Sequence, residues 1–443
     1  MSYEKFKSLA LAVLVLTSII LTLSIWNYQP HYETRDEDYI HEVSISETRE
    51  AADLIKPTKL LFHGIGTHFG TTGEKHTNDV MKELGNWTFY EPKNISKTLN
   101  EKEFDQVLHG SNRTELVFPS FIPFSTMNMI LNFSHSKVPN AVFDRIVVSQ
   151  VNMREKKATV YFVSTKERLI FASQAVAPTL PSFKKSFMDN AFKWGEYVPR
   201  KLGGTGKLFL PLENPVLHRY KYYPDYIEAE KFKDALFTDP SFVKKGSKTN
   251  SEEYTDGSSL MRVYYDTNKI FYVNPAREPD STQNGTLQQL IDKSINFVNE
   301  HSGWTDQYRL FEAEPGSSKI GYRLFIKGKP VFNDQGMAKI EQIWGKEQIY
   351  QYTRPYFTLD ISLPSEEEKL ELADGLTALN QVKQQKNFNP KLLEDMAVGY
   401  YLQHDPQTSK IIVLEPGWFY KYGGQWKQVP QESLTGGNAD GLE

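Results

Sequence analysis

From Ser8 through Pro30 no side chain carries a charge, and within that stretch Leu9 to Trp26 (LALAVLVLTSIILTLSIW) is apolar almost throughout. As a helix at ~1.5 Å per residue it reaches about 27 Å, close to the thickness of a bilayer core. The apolar region of a secretory signal peptide is shorter, ~7 to 15 residues, and ends in small residues at a cleavage site. This one ends in Ile25, Trp26, Asn27 and Tyr28, so it reads as an uncleaved anchor. Lys5, Lys7 and the amino group outweigh Glu4 before the span, and Glu33, Asp36, Glu37 and Asp38 outweigh Arg35 after it. That bias predicts a single-pass protein of the cell membrane with residues 1–8 cytoplasmic, 9–28 spanning, 29–45 a polar tether and the remainder extracellular.

Past the tether the period shortens. Leu60 to Phe62 predicts a short strand and Asn78 to Leu84 a helix stopped by Gly85. Asp144 to Asn152 (DRIVVSQVN), Ala158 to Ser164 (ATVYFVS) and Arg168 to Ser173 alternate β-branched and aromatic residues with polar ones, which predicts a meander. This closes an N-terminal domain over 46–178. Leu180 to Trp194 predicts one amphipathic helix with Phe183, Phe187, Met188, Ala191 and Trp194 on a face.

Next, one order of elements occurs twice. Tyr220, Tyr222 and Tyr223, then Glu228 to Phe237 (EAEKFKDALF), then Ser259 to Pro275 reads strand, helix, hairpin. Tyr352, Arg354, Tyr356 and Phe357, then Glu366 to Leu376 (EEEKLELADGL), then Met396 to Pro416 reads the same way. Glu230 and Glu368, Lys231 and Lys369, and Ala235 and Ala373 share an offset of 138 residues. The repeat is too long for a solenoid, so it predicts two sequential domains of similar topology, 179–300 and 301–430, with the helix Thr286 to Glu300 between the copies. Lys319 to Lys327 and Gln348 to Asp360 read as strands, Gly417 to Val429 as a last hairpin, and 431–443 as a disordered tail. The expected fold class is α+β: a transmembrane helix followed by three extracytoplasmic domains of antiparallel sheets with packed helices.

Composition narrows the chemistry. With no cysteine among 443 residues, a disulfide framework, a zinc-thiolate site and a cysteine nucleophile are excluded. A net charge of -4 and no long basic run give no surface for nucleic acid. His63 to His76 (HGIGTHFGTTGEKH) gathers three imidazoles and four glycines, but His63 and His68 stand five apart, a poor metal spacing, and it reads as a Gly-rich loop between two short elements. Neither GTTGEKHT nor GGTGKLF has the glycine spacing of a phosphate loop. Asp36 to Asp38 reads as a solvated segment, and Glu366 to Glu368 as negative charge for the first turn of a helix. No G-x-S-x-G or H-E-x-x-H occurs. No catalytic residue, cofactor site or metal site is assigned, and the chain is expected not to be an enzyme.

The span itself carries the remaining candidates. Ala10, Thr17 and Ser24 recur at heptad spacing, and Ser18 and Thr22 lie one turn apart on a neighbouring face. Small and hydroxyl residues let helices approach closely in lipid, each interhelical hydrogen bond adding ~0.6 kcal/mol. These five are the helix-interface candidates.

IWNYQP (Ile25 to Pro30), FDRIVVSQVN (Phe143 to Asn152), YTDGSSLMRVYYDTNKIFYVNP (Tyr254 to Pro275), GYRLFIKGKPVF (Gly321 to Phe332), YTRPYFTLD (Tyr352 to Asp360) and VLEPGWFYKYGGQWKQV (Val413 to Val429) occur in an order and spacing that resemble the YycH (WalH) family over essentially the whole chain. The resemblance implies a membrane-anchored regulator of the WalK-WalR (YycG-YycF) two-component system that controls the cell wall of Gram-positive bacteria. It implies as partners the sensor histidine kinase, a YycI-like anchored protein and membrane lipid, with contacts between transmembrane helices. It also implies three extracytoplasmic domains, the last two alike, and brings no catalytic residues with it. The competing expectation is an anchored extracellular module that binds or processes a cell-wall polymer or a peptide.

Overall fold

The computed structural model describes residues 7, 11, 13–18, 21–22, 47–134, 137–203, 206–277, 285–301, 303–363 and 368–430. Residues 1–40 and 41–443 form two separate units. In the first, residues 7, 11, 13–18, 21 and 22 are helical, and Leu11, Val13, Leu14, Val15, Leu16 and Leu21 expose half or more of their surface. Among the described residues no helix is long and apolar enough to cross a membrane. The expected span 9–28 is described only in part, and the tether 29–45 and the tail 431–443 lie outside the described residues.

The second unit is built on two largely antiparallel sheets, of eleven and fifteen strands among the described residues. The first begins with the hairpin Lys59–His63 and His68–Thr71, where Leu60 faces Thr71 and His63 faces His68. Lys59–His63 pairs on its other side with Arg113–Pro123, which is followed across the sheet by Val142–Asn152, Lys157–Ser164 and Leu169–Val176. The meander is thus as expected. Its inward rings meet on one face: Phe143 to Phe162 at 5.1 Å, Phe124 to Phe171 at 5.1 Å and Phe89 to Phe133 at 5.4 Å between centroids. Trp87, fully buried, rests on Phe183 at 4.9 Å and donates its indole N–H to Thr179 Oγ1 at 3.1 Å.

The strands of this sheet run past residue 178, because Gly195–Lys201 and Lys207–Pro211 extend its edge beyond His68–Thr71. The segment from Leu180 to Trp194 is not one regular helix. It is an α-turn Leu180–Lys184, a widened π-turn Lys185–Asp189 and a 3-10 turn Ala191–Lys193. Phe183, Phe187, Met188, Ala191 and Trp194 are nevertheless all buried, so the change of winding keeps the apolar face in register with the sheet below.

The second sheet holds both copies of the repeat. Val216–Tyr226 leads the first copy, followed by the helix Ala229–Leu236 and the meander Lys244–Lys248, Ser251–Thr255, Leu260–Tyr264 and Lys269–Val273. Ile349–Pro355 and Phe357–Ser362 lead the second, followed by the helix Gly375–Lys383 and the hairpin Leu393–Asp405 and Thr408–Tyr422. The copies exchange partners. The first leading strand pairs with the hairpin of the second copy, Tyr220 facing Leu414, while Ile349–Pro355 pairs with the meander of the first, Tyr352 facing Tyr272. The two leaders also pair with each other, Tyr226 facing Phe357. Neither copy is therefore a separate sheet.

The 138-residue offset does not survive at residue level, since it matches Glu230 and Lys231, which are helical, with Glu368 and Lys369, which lie in the strand Glu368–Glu371. The helix expected from Glu366 to Leu376 starts only at Gly375, where the Asp374 side chain accepts from the Leu376 and Thr377 N–H groups as an N-cap. Glu368 does not serve a helix turn. It pairs across strands with Arg219 at 2.7 Å. The helix Leu287–Glu300 forms as expected, behind a capping box of Thr286 and Gln289.

Polar contacts join the two sheets. Ser120 Oγ donates to the Ala313 carbonyl and accepts from the Ala313 N–H, both at 2.7 Å. Arg309, itself buried, reaches Glu74 at 2.8 Å. Lys329 donates to Thr72 Oγ1. Two of these anchor points come from the Gly-rich stretch His63 to His76.

Candidate functional site: a histidine chain and an aromatic cavity

The Gly-rich stretch is a hairpin end followed by a helix start. Gly66 takes a φ of 77° in the turn between the strands, and the helix Glu74–Gly85 begins behind Gly73, four residues earlier than its apolar period suggests. Register puts His63 and His68 opposite each other, and Arg113–Pro123 places Glu115 beside them. His63 Nδ1 lies 2.8 Å from His68 Nδ1, and His63 Nε2 lies 2.9 Å from Glu115 Oε2. Arg145 Nε meets Glu115 Oε1 at 3.1 Å and its Nη1 meets Asp144 at 2.7 Å. His109, on the helix Glu101–His109, hydrogen-bonds Asp105 at 2.9 Å and stands 3.9 Å from Glu115. The Phe209 ring packs on all three imidazoles, with centroids 5.0–5.1 Å away.

Burial, foremost, drives His63 below its ordinary pKa, and it lowers His68 to about 4 with the help of the neighbouring imidazoles. Both rings are therefore neutral at pH 7. Burial pushes the Glu115 carboxyl up, but the hydrogen bond from His63 and the charges around it outweigh that and hold it well below the usual carboxylate range. With His63 neutral, one direction satisfies every contact: His68 Nδ1–H donates to His63 Nδ1, and His63 Nε2–H donates to Glu115, which also accepts from Arg145. Both ring nitrogens of His63 and both oxygens of Glu115 thereby have a partner. Among the described residues no group of three potential ligands is arranged to hold a metal.

A cavity of about 380 Å³ opens between the sheets on the other side of the same hairpin. Gly70 to Gly73, Lys59, Tyr197 and Phe209 form one wall, and Phe311, Lys329, Asp395, Trp418 and Trp426 the other. Gly70 is required here, because a Cβ would stand 2.7 Å from the Tyr197 ring and 2.9 Å from Leu61. Trp426 packs at a tilt against Phe332 at 5.1 Å and Phe311 at 5.7 Å, and Trp418 donates its indole N–H to the Ala373 carbonyl at 2.8 Å. Lys59 donates to the Phe209 carbonyl at 3.4 Å and faces Asp395 at 4.0 Å. Lys329 lies deep between the sheets, and burial lowers its pKa to about 8, yet the cavity leaves its side chain partly accessible.

Of the helix-interface candidates, Thr17, Ser18 and Thr22 are described, whereas Ala10 and Ser24 lie outside the described residues. Thr17 Oγ1 donates to the Val13 and Leu14 carbonyls at 3.0 and 2.9 Å, and Thr22 Oγ1 to the Ser18 carbonyl at 2.9 Å. Their hydroxyl protons are spent inside the helix, so what they offer a neighbouring helix is small size and acceptor lone pairs. Sequence reasoning found His63 and His68 but not Glu115, His109, Lys329 or the tryptophans of the cavity. A carboxylate inside the apolar strand RTELVFPSFIP was the available signal for Glu115.

The family models described as YycH protein, N-terminal domain, and YycH protein, C-terminal domain, match residues 4–190 and 205–435. The two-component system WalR/WalK regulatory protein YycH of Bacillus subtilis is 22% identical over 98% of this chain and 98% of its own length. The crystal structure of YycH from Bacillus subtilis superposes with a TM-score of 0.75 at 20% identity, covering 88% of this chain and 99% of that one. The fold is shared.

Proposed function

The chain belongs to the YycH family, and on that premise we propose that it is a membrane-anchored, non-enzymatic regulator of a two-component system of the WalR/WalK kind. In this reading residues 9–28 cross the cell membrane with the N-terminus inside. The span contacts the sensor histidine kinase and a YycI-like anchored partner through Ala10, Thr17, Ser18, Thr22 and Ser24. The exposed aliphatic side chains from Leu11 to Leu21 support a helix made for lipid or for other helices rather than for water.

One observation carries the mechanical side of the proposal. The first described residues after the tether are clamped to the second sheet's layer, not left loose. The Glu47 carbonyl accepts from the Trp304 N–H at 3.0 Å, and Arg49 and Asn299 exchange two hydrogen bonds, each of 3.0 Å. The chain therefore enters the fold at a fixed point, Glu47 to Arg49, to which a change in the helix Leu287–Glu300 would be passed directly. Control then requires that the span bind the active and inactive kinase geometries with different affinity, since a partner of equal affinity for both shifts nothing. Replacing residues 9–26 by an unrelated apolar helix is expected to abolish regulation, read as kinase-dependent reporter output at equal protein level. Full retention of regulation would sink the proposal.

The competing reading, an anchored module that binds or processes a polymer or peptide, draws support from the cavity between the sheets. It predicts turnover or retention of such a ligand by the membrane-bound protein.

A further inference from the structure

We propose that the cavity between the two sheets binds an organic monocarboxylate of about dipeptide size, its carboxylate on Lys329 and its apolar body against Trp426 and Phe311. The inference goes beyond the regulator reading and does not depend on it.

The inference rests on which polar groups in the cavity have partners and which do not. Asp395 accepts from the Met396 N–H at 2.8 Å and faces Lys59, so this carboxylate and this ammonium serve each other. The Trp418 indole is bound to Ala373. What is left among the described residues, apart from the Glu213 carboxylate at the exposed rim, is a set of donors. Lys329 has three N–H protons and a single partner, the neutral hydroxyl of Thr72, with no carboxylate in ion-pair range. The Tyr197 hydroxyl and the Trp426 indole N–H have no described hydrogen-bond partner either, and neither is sealed from solvent. Unpaired donors around a half-open cavity call for an acceptor-rich ligand, and a cation among them for an anion.

The charge count limits the anion. One ammonium without a carboxylate, in a cavity that also presents Asp395 and, at its exposed rim, Glu213, suits one negative charge and opposes the two of a phosphate monoester. The walls between these groups are rings and prolines, Pro119, Pro211 and Pro330 among them, which suit an aromatic or aliphatic body. A volume of about 380 Å³ lies near the lower end of ligand pockets, enough for two amino-acid residues and too small for a folded segment. Peptide ends and fatty acids share this chemistry.

The test uses the full-length chain in lipid nanodiscs, titrated with N-acetyl-leucyl-phenylalanine and with its C-terminal amide, and with octanoate as a separate arm. The acid is expected to bind at least tenfold tighter than the amide. Its affinity should fall as pH rises through about 8 and drop about tenfold in Lys329→Met. Tyr197→Phe should weaken it less. Binding of octanoate in place of the peptide acid, with the same dependence on Lys329, assigns the carboxylate to a lipid source and upholds the site. Acetylation of Lys329, mapped by mass spectrometry on the unmutated protein, should be slowed by the bound acid, which guards against a variant that fails to fold. Equal affinity for acid and amide, no binding by either acid at millimolar concentration, or binding that leaves Lys329 acetylation unchanged would each overturn the proposal.

Discussion

Glu115 and Lys329 are both ionisable side chains set deep in the molecule, on opposite sides of one hairpin, and they differ in company. Glu115 is met by His63, Arg145 and, further off, His109, so its charge is balanced by Arg145 and each of its oxygens has a donor. Lys329 is met by one hydroxyl and an aromatic cavity. A buried charge with a full set of partners has nothing left to give a ligand and acts on stability. One that lacks a counter-charge is costly where it stands, and beside a cavity it is a candidate place for an anion. The histidine chain, which drew attention in the sequence, belongs to the first kind.

The contrast can be broken most forcefully at Glu115. Glu115→Gln leaves Arg145 with Asp144 as its remaining counter-charge and sets an amide N–H2 against one of the two donors, His63 or Arg145, that Glu115 accepts from, and a loss of about 3 kcal/mol is expected in denaturant unfolding. A loss under about 1 kcal/mol would show that the cluster is not structural. Gly328→Ala probes the turn that carries Lys329: its φ is 77° and a Cβ would stand 2.7 Å from the Glu74 Cβ, so a cost of about 1–3 kcal/mol is expected.

A smaller effect is expected from pH. His68 titrates near 4 when folded, below the 6.5 of an unfolded imidazole, so between those values the unfolded chain holds more protons. Stability therefore falls as pH drops through that window, and Tm should decrease by a few degrees from pH 7 to pH 5. His68→Gln should make that decrease shallower. The smallest change is expected from Lys329→Met, within about 1 kcal/mol of the parent, because relief of burial offsets the lost hydrogen bond to Thr72. A cost above about 2 kcal/mol would place Lys329 with Glu115 and erase the distinction.

The sequence disclosed the elements whose period is undiluted. Val142–Asn152 and Lys157–Ser164 were legible because β-branched and aromatic residues fill strands that are buried over most of their length, and Leu287–Glu300 because a cap precedes a helix with one buried face. The strand Glu368–Glu371 was not, since its charged residues are strong helix formers and only pairing with Val216–Arg219 makes them extended. Nor could the sequence show that the two copies trade partners, because strand pairing at a separation of nearly two hundred residues leaves no local mark. The cavity was illegible for the same reason: Thr72 and Lys329 are 257 residues apart. His63 and His68 were visible as a pair, yet the residue that defines their role, Glu115, comes from a third strand.

The central claim, that this member of the YycH family regulates a two-component system through its anchor, is tested most directly by the phosphorylated fraction of the WalR-type response regulator in living cells. It is to be measured with the native chain, without it, and with residues 9–26 replaced by an unrelated apolar helix. The account predicts that loss of the chain changes the fraction severalfold and that the span-replaced protein, present in equal amount, behaves like the loss. A fraction that is the same in all three, or one restored fully by the span-replaced protein, would contradict it.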